Sequence, residues 1–246
     1  ESADYNGDVE DLFQAELYLI SPITEAGRFL RKEYFLTSQQ RDIERQILKG
    51  IRQKHTGYYW FIGLPGTGKT LLLYDLAMKL SGRQKVCLIH CGRAGKEWRI
   101  LHERLWRIDY LSDEQIHENK DLSEYNGVLI DEAHLLSEEN LQMILEACGQ
   151  QPVIFSSDCE DIISQEEFDR STVKAMRHLP EMQTYHLTNR IRTNAELSSF
   201  IQHMMHLPKQ RYARNYPHIT VFYANDEIEA ENLLCDARRQ GYFYPQ

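Results

Sequence analysis

One stretch decides the fold of this 246-residue chain: Gly63-Leu64-Pro65-Gly66-Thr67-Gly68-Lys69-Thr70. It matches the pattern G-x-x-x-x-G-K-[ST] at every fixed position. The apolar run at 58–62 before it predicts a buried strand, and leucines at helical spacing over 70–80 predict a helix after it. A glycine-rich turn in this context predicts a loop that wraps a phosphate with inward-facing backbone N–H groups.

Each residue type in this stretch suits phosphate binding. Its glycines let the backbone approach the ligand closely. We expect Lys69 to reach the β- and γ-phosphates of a nucleotide and the Thr70 hydroxyl to ligate Mg²⁺. The predicted nucleotide-binding residues of this loop are Gly63, Pro65, Gly66, Thr67, Gly68, Lys69 and Thr70.

A second group of candidate residues ends a later strand. Val128-Leu129-Ile130 predicts a buried strand, and Asp131-Glu132 follows it directly. The carboxyl ends of parallel strands are where an open α/β sheet binds its ligand. We expect Asp131 to hold Mg²⁺ through its water shell and Glu132 to orient and deprotonate an attacking water. His134 either couples this site to a neighbouring strand or caps the turn.

Strand and helix patterns alternate along the chain and predict the fold class. Short apolar runs separated by helices indicate a parallel sheet covered on both faces. The predicted fold is α/β, a three-layer P-loop NTPase of the RecA-like, additional-strand class, with a strand at 153–155 between the phosphate-loop strand and the Asp131 strand. Further predicted elements are helices over 9–20, 37–53 (capped by Thr37), 95–111, 137–148 (capped by Ser137), 165–178 and 193–205, strands over 86–90, 184–187 and 219–223, and a helix opened by Asp226.

Composition excludes several classes of protein. The net charge of −9 argues against strong nonspecific binding to nucleic acid. No apolar run approaches the ~18 residues of a membrane span, so we expect no membrane partner. The five cysteines, odd in number and without a C-x-x-C pair, predict reduced thiols and a cytoplasmic location. The missing initiator Met indicates a processed or excised fragment.

Three weaker motifs accompany the two strong ones. They are Leu36-Thr37-Ser38-Gln39-Gln40, Ser157-Asp158-Cys159-Glu160-Asp161 and Arg190-Ile191-Arg192-Thr193. With the phosphate loop and Asp131-Glu132, their order along the chain resembles superfamily-one helicases. It resembles more closely a bacterial group of Schlafen-like ATPases with DNA/RNA helicase domains. The resemblance covers roughly residues 36–240.

This resemblance implies roles for residues in the weaker motifs. Gln40 would read the adenine of ATP, while Thr37-x-x-Gln40 is also a capping box for the helix that follows. Arg192 would act as a catalytic arginine on the γ-phosphate, with Arg190 as the alternative. Asp161 stands where the family has a glutamine that senses the γ-phosphate, and a carboxylate would repel that phosphate.

The resemblance also implies a domain division and a function. It predicts an N-terminal extension over 1–35, a RecA-like ATPase domain over 36–187 and the start of a second, incomplete RecA-like domain over 188–246. A further attached or partner domain would lie outside this chain. The implied activity is Mg²⁺-dependent ATP hydrolysis, coupled to single-stranded DNA or RNA as in a helicase.

Two alternative functions stay open. One is an AAA-type protein-remodelling ATPase, with Ser156 or Ser157 as its polar sensor. The other is a nucleotide-controlled switch that regulates an attached domain. An AAA core is followed by a small helical lid, so the strand predicted at 219–223 favours the helicase.

One stretch has the composition of a nucleic-acid contact. Five cations and three aromatic residues interleave there: Arg93, Lys96, Arg99, Arg104 and Arg107 with Trp98, Trp106 and Tyr110. Aromatic rings that stack bases among cations that neutralise the backbone are typical of single-strand binding. The spacing of Trp98, Leu101, Leu105 and Ile108 is also that of a helix packed on a core.

Overall fold

The computed structural model describes residues 20–54, 56–82, 84–92, 98–118, 122–158, 172–188, 200, 216–217 and 219–241. The chain divides into two compact units, residues 1–193 and residues 194–246. The first unit contains the sheet and the candidate site. In the second, the described residues are mainly a stretch without regular secondary structure and one helix. That the second unit begins another RecA-like domain stays a prediction.

Helices and strands alternate through the first unit. The strands are β1 (Tyr58–Gly63), β2 (Val86–His90), β3 (Ile108–Ser112), β4 (Val128–Asp131), β5 (Val153–Asp158) and β6 (Gln183–Leu187). The helices are α1 (Ala26–Leu30), α2 (Ser38–Lys54), α3 (Lys69–Leu80), α4 (Trp98–Arg104), α5 (Glu138–Cys148) and α6 (Thr172–Arg177), with α7 (Glu227–Arg239) in the second unit. Short 3₁₀ turns lie at Asp113–Glu118, Leu122–Glu124 and Ala133–Leu135.

The six strands form one parallel sheet in the order β3-β2-β4-β5-β1-β6. The predicted α/β class is therefore confirmed, and β5 lies between β1 and β4 as expected. Register places Gly63 beside Asp158, and His90 beside Asp131. Since all strands are parallel, their carboxyl ends bring these residues to one edge of the sheet.

Both faces of the sheet are covered, which makes the fold three-layered. On one face, Tyr59 and Phe61 of β1 join a core with buried residues of helices α1 to α4. On the other face, Trp60 and Ile62 join a core with α5, α6 and the 3₁₀ turns. Burial on both sides explains why the strands are apolar runs rather than alternating patterns. Within the described residues, no helix has the length and apolarity needed to cross a bilayer.

Three helices begin at the residues predicted to cap them. At α2, Thr37 Oγ1 accepts the backbone N–H of Gln40 at 3.2 Å, and Gln40 Oε1 accepts that of Thr37 at 2.8 Å. At α5, Ser137 Oγ accepts the N–H of Asn140 at 3.1 Å. Asp226 accepts a backbone N–H of α7 at 2.7 Å. Each side chain satisfies an N–H that has no partner within its helix.

Two predicted elements are wrong. The helix predicted over 95–111 is observed only over Trp98–Arg104, and Ile108–Ser112 instead form the edge strand β3. Its pairing with β2 overrides the helical spacing of the apolar residues. Residues 219–224 form no regular secondary structure, and Tyr223 is 88% exposed. A strand needs a neighbour for its backbone groups, and the described part of the chain supplies none here.

Other predicted elements are only partly described. The helices predicted over 9–20 and 193–205 lie outside the described residues, as does the first part of the one predicted over 165–178. The extension predicted over 1–35 is described from Ile20 onward. Its buried Phe29 packs edge-on against Tyr74 of α3, with the ring centroids 6.1 Å apart. From Ile20, this segment therefore contributes to the core of the first unit.

Candidate active site

The phosphate loop connects the end of β1 to the start of α3. Gly66 and Gly68 have φ values of +79° and +77°, in the left-handed region that residues with a Cβ rarely adopt. Gly63 is needed for a different reason. A Cβ at this position would lie 2.5 Å from Thr67 Oγ1 and 3.0 Å from the backbone oxygen of Leu187 in β6. Two glycines therefore shape the turn, and the third makes room for the neighbouring strand.

Lys69 lies inside this loop and is 6% exposed. Its Nζ donates to the carbonyl oxygens of Gly63 at 3.2 Å and Leu64 at 3.3 Å. It also pairs with Asp158 Oδ1 at 2.5 Å. A buried ammonium held by carbonyls and one carboxylate is positioned to exchange those partners for a phosphate.

Asp131 is fully buried at the end of β4. Ser156 Oγ of β5 donates to Asp131 Oδ1 at 2.5 Å, and His90 Nδ1 of β2 lies 3.3 Å from Asp131 Oδ2. Burial opposes the charge of Asp131. His90 and the hydroxyls of Ser156 and Thr70 favour that charge and hold the pKa below its usual value. Thr70 and Asp131 thus bring together the hard oxygen donors that Mg²⁺ prefers.

Glu132 follows Asp131 and has a strained backbone, with a φ of +52°. Burial and the neighbouring charge of Asp131 raise its pKa to about 7, against the opposing charge of Lys69. Its side chain is 29% exposed, so it is accessible from solvent. A carboxylate with a pKa near neutrality is suited to accept a proton from water.

His134 connects this end of β4 to β5. Its Nδ1 accepts the backbone N–H of Asp158 at 3.4 Å and lies 3.7 Å from Glu132 Oε2. This geometry favours coupling to a neighbouring strand over capping of the turn. Ligand atoms of Glu132, His134 and Asp158 all lie within 4.8 Å of one another, so they form a second set of metal-compatible donors.

Gln40 lies against the back of the phosphate loop. Its Nε2 donates to the carbonyl oxygens of Thr67 at 3.1 Å and Gly68 at 3.3 Å. Its Oε1 accepts the N–H of Thr37, and the side chain has no exposed surface. The capping box is therefore confirmed, whereas contact with adenine stays a prediction.

Three residues singled out in the sequence lie outside the described part of the chain. They are the catalytic arginine candidate Arg192, with its alternative Arg190, and Asp161 at the predicted sensor position. The serines proposed as an AAA sensor have other partners. Ser156 donates to Asp131, and Ser157 Oγ accepts from Trp60 Nε1 at 2.8 Å.

The described residues of the predicted nucleic-acid stretch do not form one surface. Trp106 and Arg107 precede β3 and lie at the amino edge of the sheet, opposite the phosphate loop, with the guanidinium 4.6 Å from the ring centroid. Tyr110 packs 6.2 Å from Tyr74, which makes it part of the core side of the sheet. The side chains of Arg93, Lys96, Trp98 and Arg99 lie outside the described part.

Sequence reasoning missed His90. It is a polar residue at the end of an otherwise apolar strand, as Asp131 is, and that shared position is the available signal. Their contact depends on β2 and β4 being neighbours, which their separation in the chain does not reveal.

A parallel sheet of this order, with a glycine-rich loop between β1 and α3 and an acidic strand end two strands away, defines a P-loop NTPase. The chain belongs to the helicase-domain family described as Schlafen group 3, DNA/RNA helicase domain, which matches residues 59–242. It is therefore a member of a helicase-domain P-loop ATPase family. No match to a curated protein was found.

Several solved structures share the fold. The Pif1 helicase from Candida albicans is 15% identical, with 86% of this chain and 56% of that chain covered and a TM-score of 0.48. Bacteroides Pif1 bound to ssDNA is 15% identical, with 85% and 57% covered and a TM-score of 0.44. The flagellar accessory protein FlaH from Methanocaldococcus jannaschii is 15% identical, with 58% and 74% covered and a TM-score of 0.41. The chain spans little more than half of each Pif1 structure.

Proposed function

We propose that this chain binds ATP with Mg²⁺ and hydrolyses it by in-line attack of water on the γ-phosphate. The observation that carries the proposal is Glu132, a partly exposed carboxylate with a pKa of about 7 in the same charge cluster as Lys69 of the phosphate loop. A nucleotide-binding loop alone needs no such group. Membership of the helicase-domain family supports the same assignment.

The other residues divide the remaining tasks. Lys69 exchanges Asp158 for the β- and γ-phosphates, while Thr70 and Asp131 hold Mg²⁺. Mg²⁺ bound there would neutralise charge on the transferred phosphoryl group. Glu132 accepts the proton of the attacking water, and Arg192 completes the charge neutralisation. An arginine in that role contributes orders of magnitude to phosphoryl transfer.

We further propose that hydrolysis is coupled to single-stranded nucleic acid. The support is the helicase-domain family and the place where β2 ends. His90 ends β2 beside Asp131, so the chain leaves this strand at the edge of the sheet that carries the site. Trp106 and Arg107 lie at the opposite edge, which separates them from this coupling.

The serines proposed as the sensor of an AAA-type ATPase have partners inside the sheet. Ser156 donates to Asp131, and Ser157 accepts from Trp60. The strand predicted at 219–223, which favoured the helicase over a helical lid, is not formed, so our preference for the helicase class rests on the family match.

Steady-state ATP turnover of the chain, with and without single-stranded DNA and RNA, tests both parts of the proposal. The control is the Glu132→Gln variant, because any turnover that it retains measures contaminating ATPase. We expect basal turnover that a single strand stimulates and that the control lacks. Turnover indifferent to either nucleic acid would contradict coupling alone. ATP binding without turnover would favour the nucleotide-controlled switch.

A matched pair of variants locates the nucleic-acid contact. Lys96 belongs to the predicted nucleic-acid stretch and follows β2 in the sequence, whereas Trp106 lies at the amino edge of the sheet. We expect Lys96→Ala to reduce stimulation by a single strand. Trp106→Ala should leave the stimulation within about twofold, whereas loss of a ring that stacks a base would cost about 1–3 kcal/mol of binding free energy. The reverse pattern would place the contact at the amino edge.

A further inference from the structure

The hydrogen bonds of the Gln40 side chain are not explained by its predicted contact with adenine. Both N–H groups of its amide donate to the phosphate loop, to the carbonyls of Thr67 and Gly68. Its amide oxygen accepts the N–H of Thr37 in the capping box. The side chain has an exposed fraction of 0%. Contact with a base would break these three hydrogen bonds and require the amide to reach the surface.

The two carbonyls that Gln40 holds determine where two N–H groups point. In a planar trans peptide, the C=O and the N–H of the next residue point in opposite directions. The Thr67 carbonyl belongs to the peptide that carries the Gly68 N–H, and the Gly68 carbonyl to the peptide that carries the Lys69 N–H. Drawing both carbonyls toward Gln40 therefore directs the N–H groups of Gly68 and Lys69 away from it.

The Gly68 carbonyl also accepts the backbone N–H of Leu72 at 3.0 Å, so the peptide that depends most on Gln40 is the one that carries the Thr67 carbonyl. Gly68 adopts a φ of +77° and has no side chain to fix its peptide planes. The N–H groups at the start of a helix after such a glycine are those that bind phosphate in loops of this type. Holding them in place before the ligand arrives reduces the entropy lost on binding.

We propose that Gln40 is a positioning residue for the phosphate loop, which sets affinity for the triphosphate and not selectivity for the base. This inference rests on the proposed nucleotide function. It assigns to α2 an indirect part in phosphate binding, because the capping box that starts the helix also fixes the amide that restrains the loop.

Three variants separate the loop contacts from the helix cap. Gln40→Glu keeps an oxygen for the N–H of Thr37 and replaces the donor amide with an acceptor facing two carbonyls. Gln40→Met keeps the volume and removes both donors, and it serves if the first variant does not fold. Thr37→Ala removes the Oγ1 acceptor of the cap and leaves the contacts of the Gln40 amide in place.

Binding of Mg²⁺ with inorganic tripolyphosphate, ATP or GTP is measured by calorimetry, together with the thermal midpoint. We expect both Gln40 variants to weaken all three ligands by one common factor of about tenfold, the equivalent of losing two hydrogen bonds. Thr37→Ala should lower the thermal midpoint and leave all three affinities within about twofold. If Gln40 only stabilised the helix, the Thr37 and Gln40 variants would instead change the affinities alike.

Four results would overturn the inference. Loss of ATP affinity with tripolyphosphate binding intact would make Gln40 a base reader. Equal loss in Thr37→Ala would reduce its role to helix stability, and unchanged affinities in both Gln40 variants would show that the loop needs no restraint. Failure of the unsubstituted chain to bind any of the three ligands would instead contradict the proposed function, and the inference with it.

Discussion

Two clusters in the first unit have nearly the same electrostatics and different surroundings. In each, the pKa of an aspartate is held below its usual value, and burial with a neighbouring aspartate raises the pKa of a glutamate to about 7. We call them the nucleotide cluster (Lys69, Asp131 and Glu132) and the helix cluster (Glu44, Asp75 and Lys79).

The clusters differ in what their charges contact. In the helix cluster, Lys79 pairs with Asp75 at 2.8 Å and also with Glu44, and the Tyr34 hydroxyl donates to Asp75. These contacts join α2, α3 and the segment after α1. In the nucleotide cluster, the lysine pairs outside the cluster, with Asp158, and Glu132 occupies a left-handed backbone position at a strand end.

This difference shows that a shifted pKa alone does not identify a functional site. Ion-pair networks that hold helices together shift pKa values as strongly as sites do. What distinguishes Glu132 from Glu44 is its position. It lies at the edge where the phosphate loop and the strand ends meet, on a strained backbone, without a lysine in direct contact.

The largest expected effect separates the two glutamates. Glu132→Gln should lower ATP turnover by about 10²–10⁴-fold, the usual contribution of a general base, and leave ATP binding in place. Glu44→Gln should keep turnover within about twofold of the unsubstituted chain. Steady-state kinetics of the two variants side by side check this. Comparable losses in both would remove the distinction between the clusters.

The two lysines should differ next. Lys69→Met should weaken ATP binding by about 10–100-fold, since a charge-assisted contact with phosphate is lost. Lys79→Met should leave ATP affinity unchanged and lower the free energy of unfolding by about 1–2 kcal/mol, because Lys79 is nearly half exposed. Calorimetric titration and urea unfolding measure the two quantities. A weakened nucleotide affinity in Lys79→Met would show that the clusters are coupled.

The hydroxyl donors offer a smaller matched comparison. Ser156 donates to Asp131 as Tyr34 does to Asp75. Ser156→Ala should weaken Mg²⁺ binding in the presence of ATP by about tenfold, since partners of a metal ligand orient it. Tyr34→Phe should change only stability, by about 1 kcal/mol. Mg²⁺ titrations of turnover test the first, and a Mg²⁺ requirement unchanged in Ser156→Ala would contradict the role given to Asp131.

The smallest effect is a pH dependence of stability. The pKa of Glu44 is about 7 in the folded chain against 4.5 for an ordinary glutamate, so the unfolded chain releases this proton first as the pH rises. The group therefore removes stability progressively between about pH 4.5 and pH 7. Thermal midpoints of Glu44→Gln and the unsubstituted chain should diverge over this range, with the variant higher at pH 7.5. Parallel curves would show that Glu44 titrates normally.

The sequence predicted those parts of the fold and site that depend on contiguous residues. The phosphate loop, its flanking elements and the caps at Thr37, Ser137 and Asp226 are local patterns and were predicted correctly. Asp131 and Glu132 were placed at a strand end for the same reason. The strand β3 was not predicted, because its apolar residues also fit a helix and its partner β2 lies elsewhere in the chain.

Contacts between segments that are distant in the chain could not be predicted from the sequence. The contact of His90 with Asp131 depends on the β2–β4 register, and the helix cluster is made of charged residues that look ordinary on their separate helices. Gln40 shows both cases. Its capping box was one of two readings of a local motif, whereas its contacts with Thr67 and Gly68 cross 27 and 28 residues of chain.

The position of Gly63 has a consequence for how such proteins are recognised. What excludes a side chain there is the Thr67 hydroxyl of the same loop and the backbone of Leu187 in β6. The first fixed letter of the sequence signature therefore records two packing contacts, one inside the loop and one with the neighbouring strand. A relative with a residue smaller than threonine at position 67, in which that strand also ended one residue earlier, would accept alanine at this position. A pattern search that requires this glycine would pass over it.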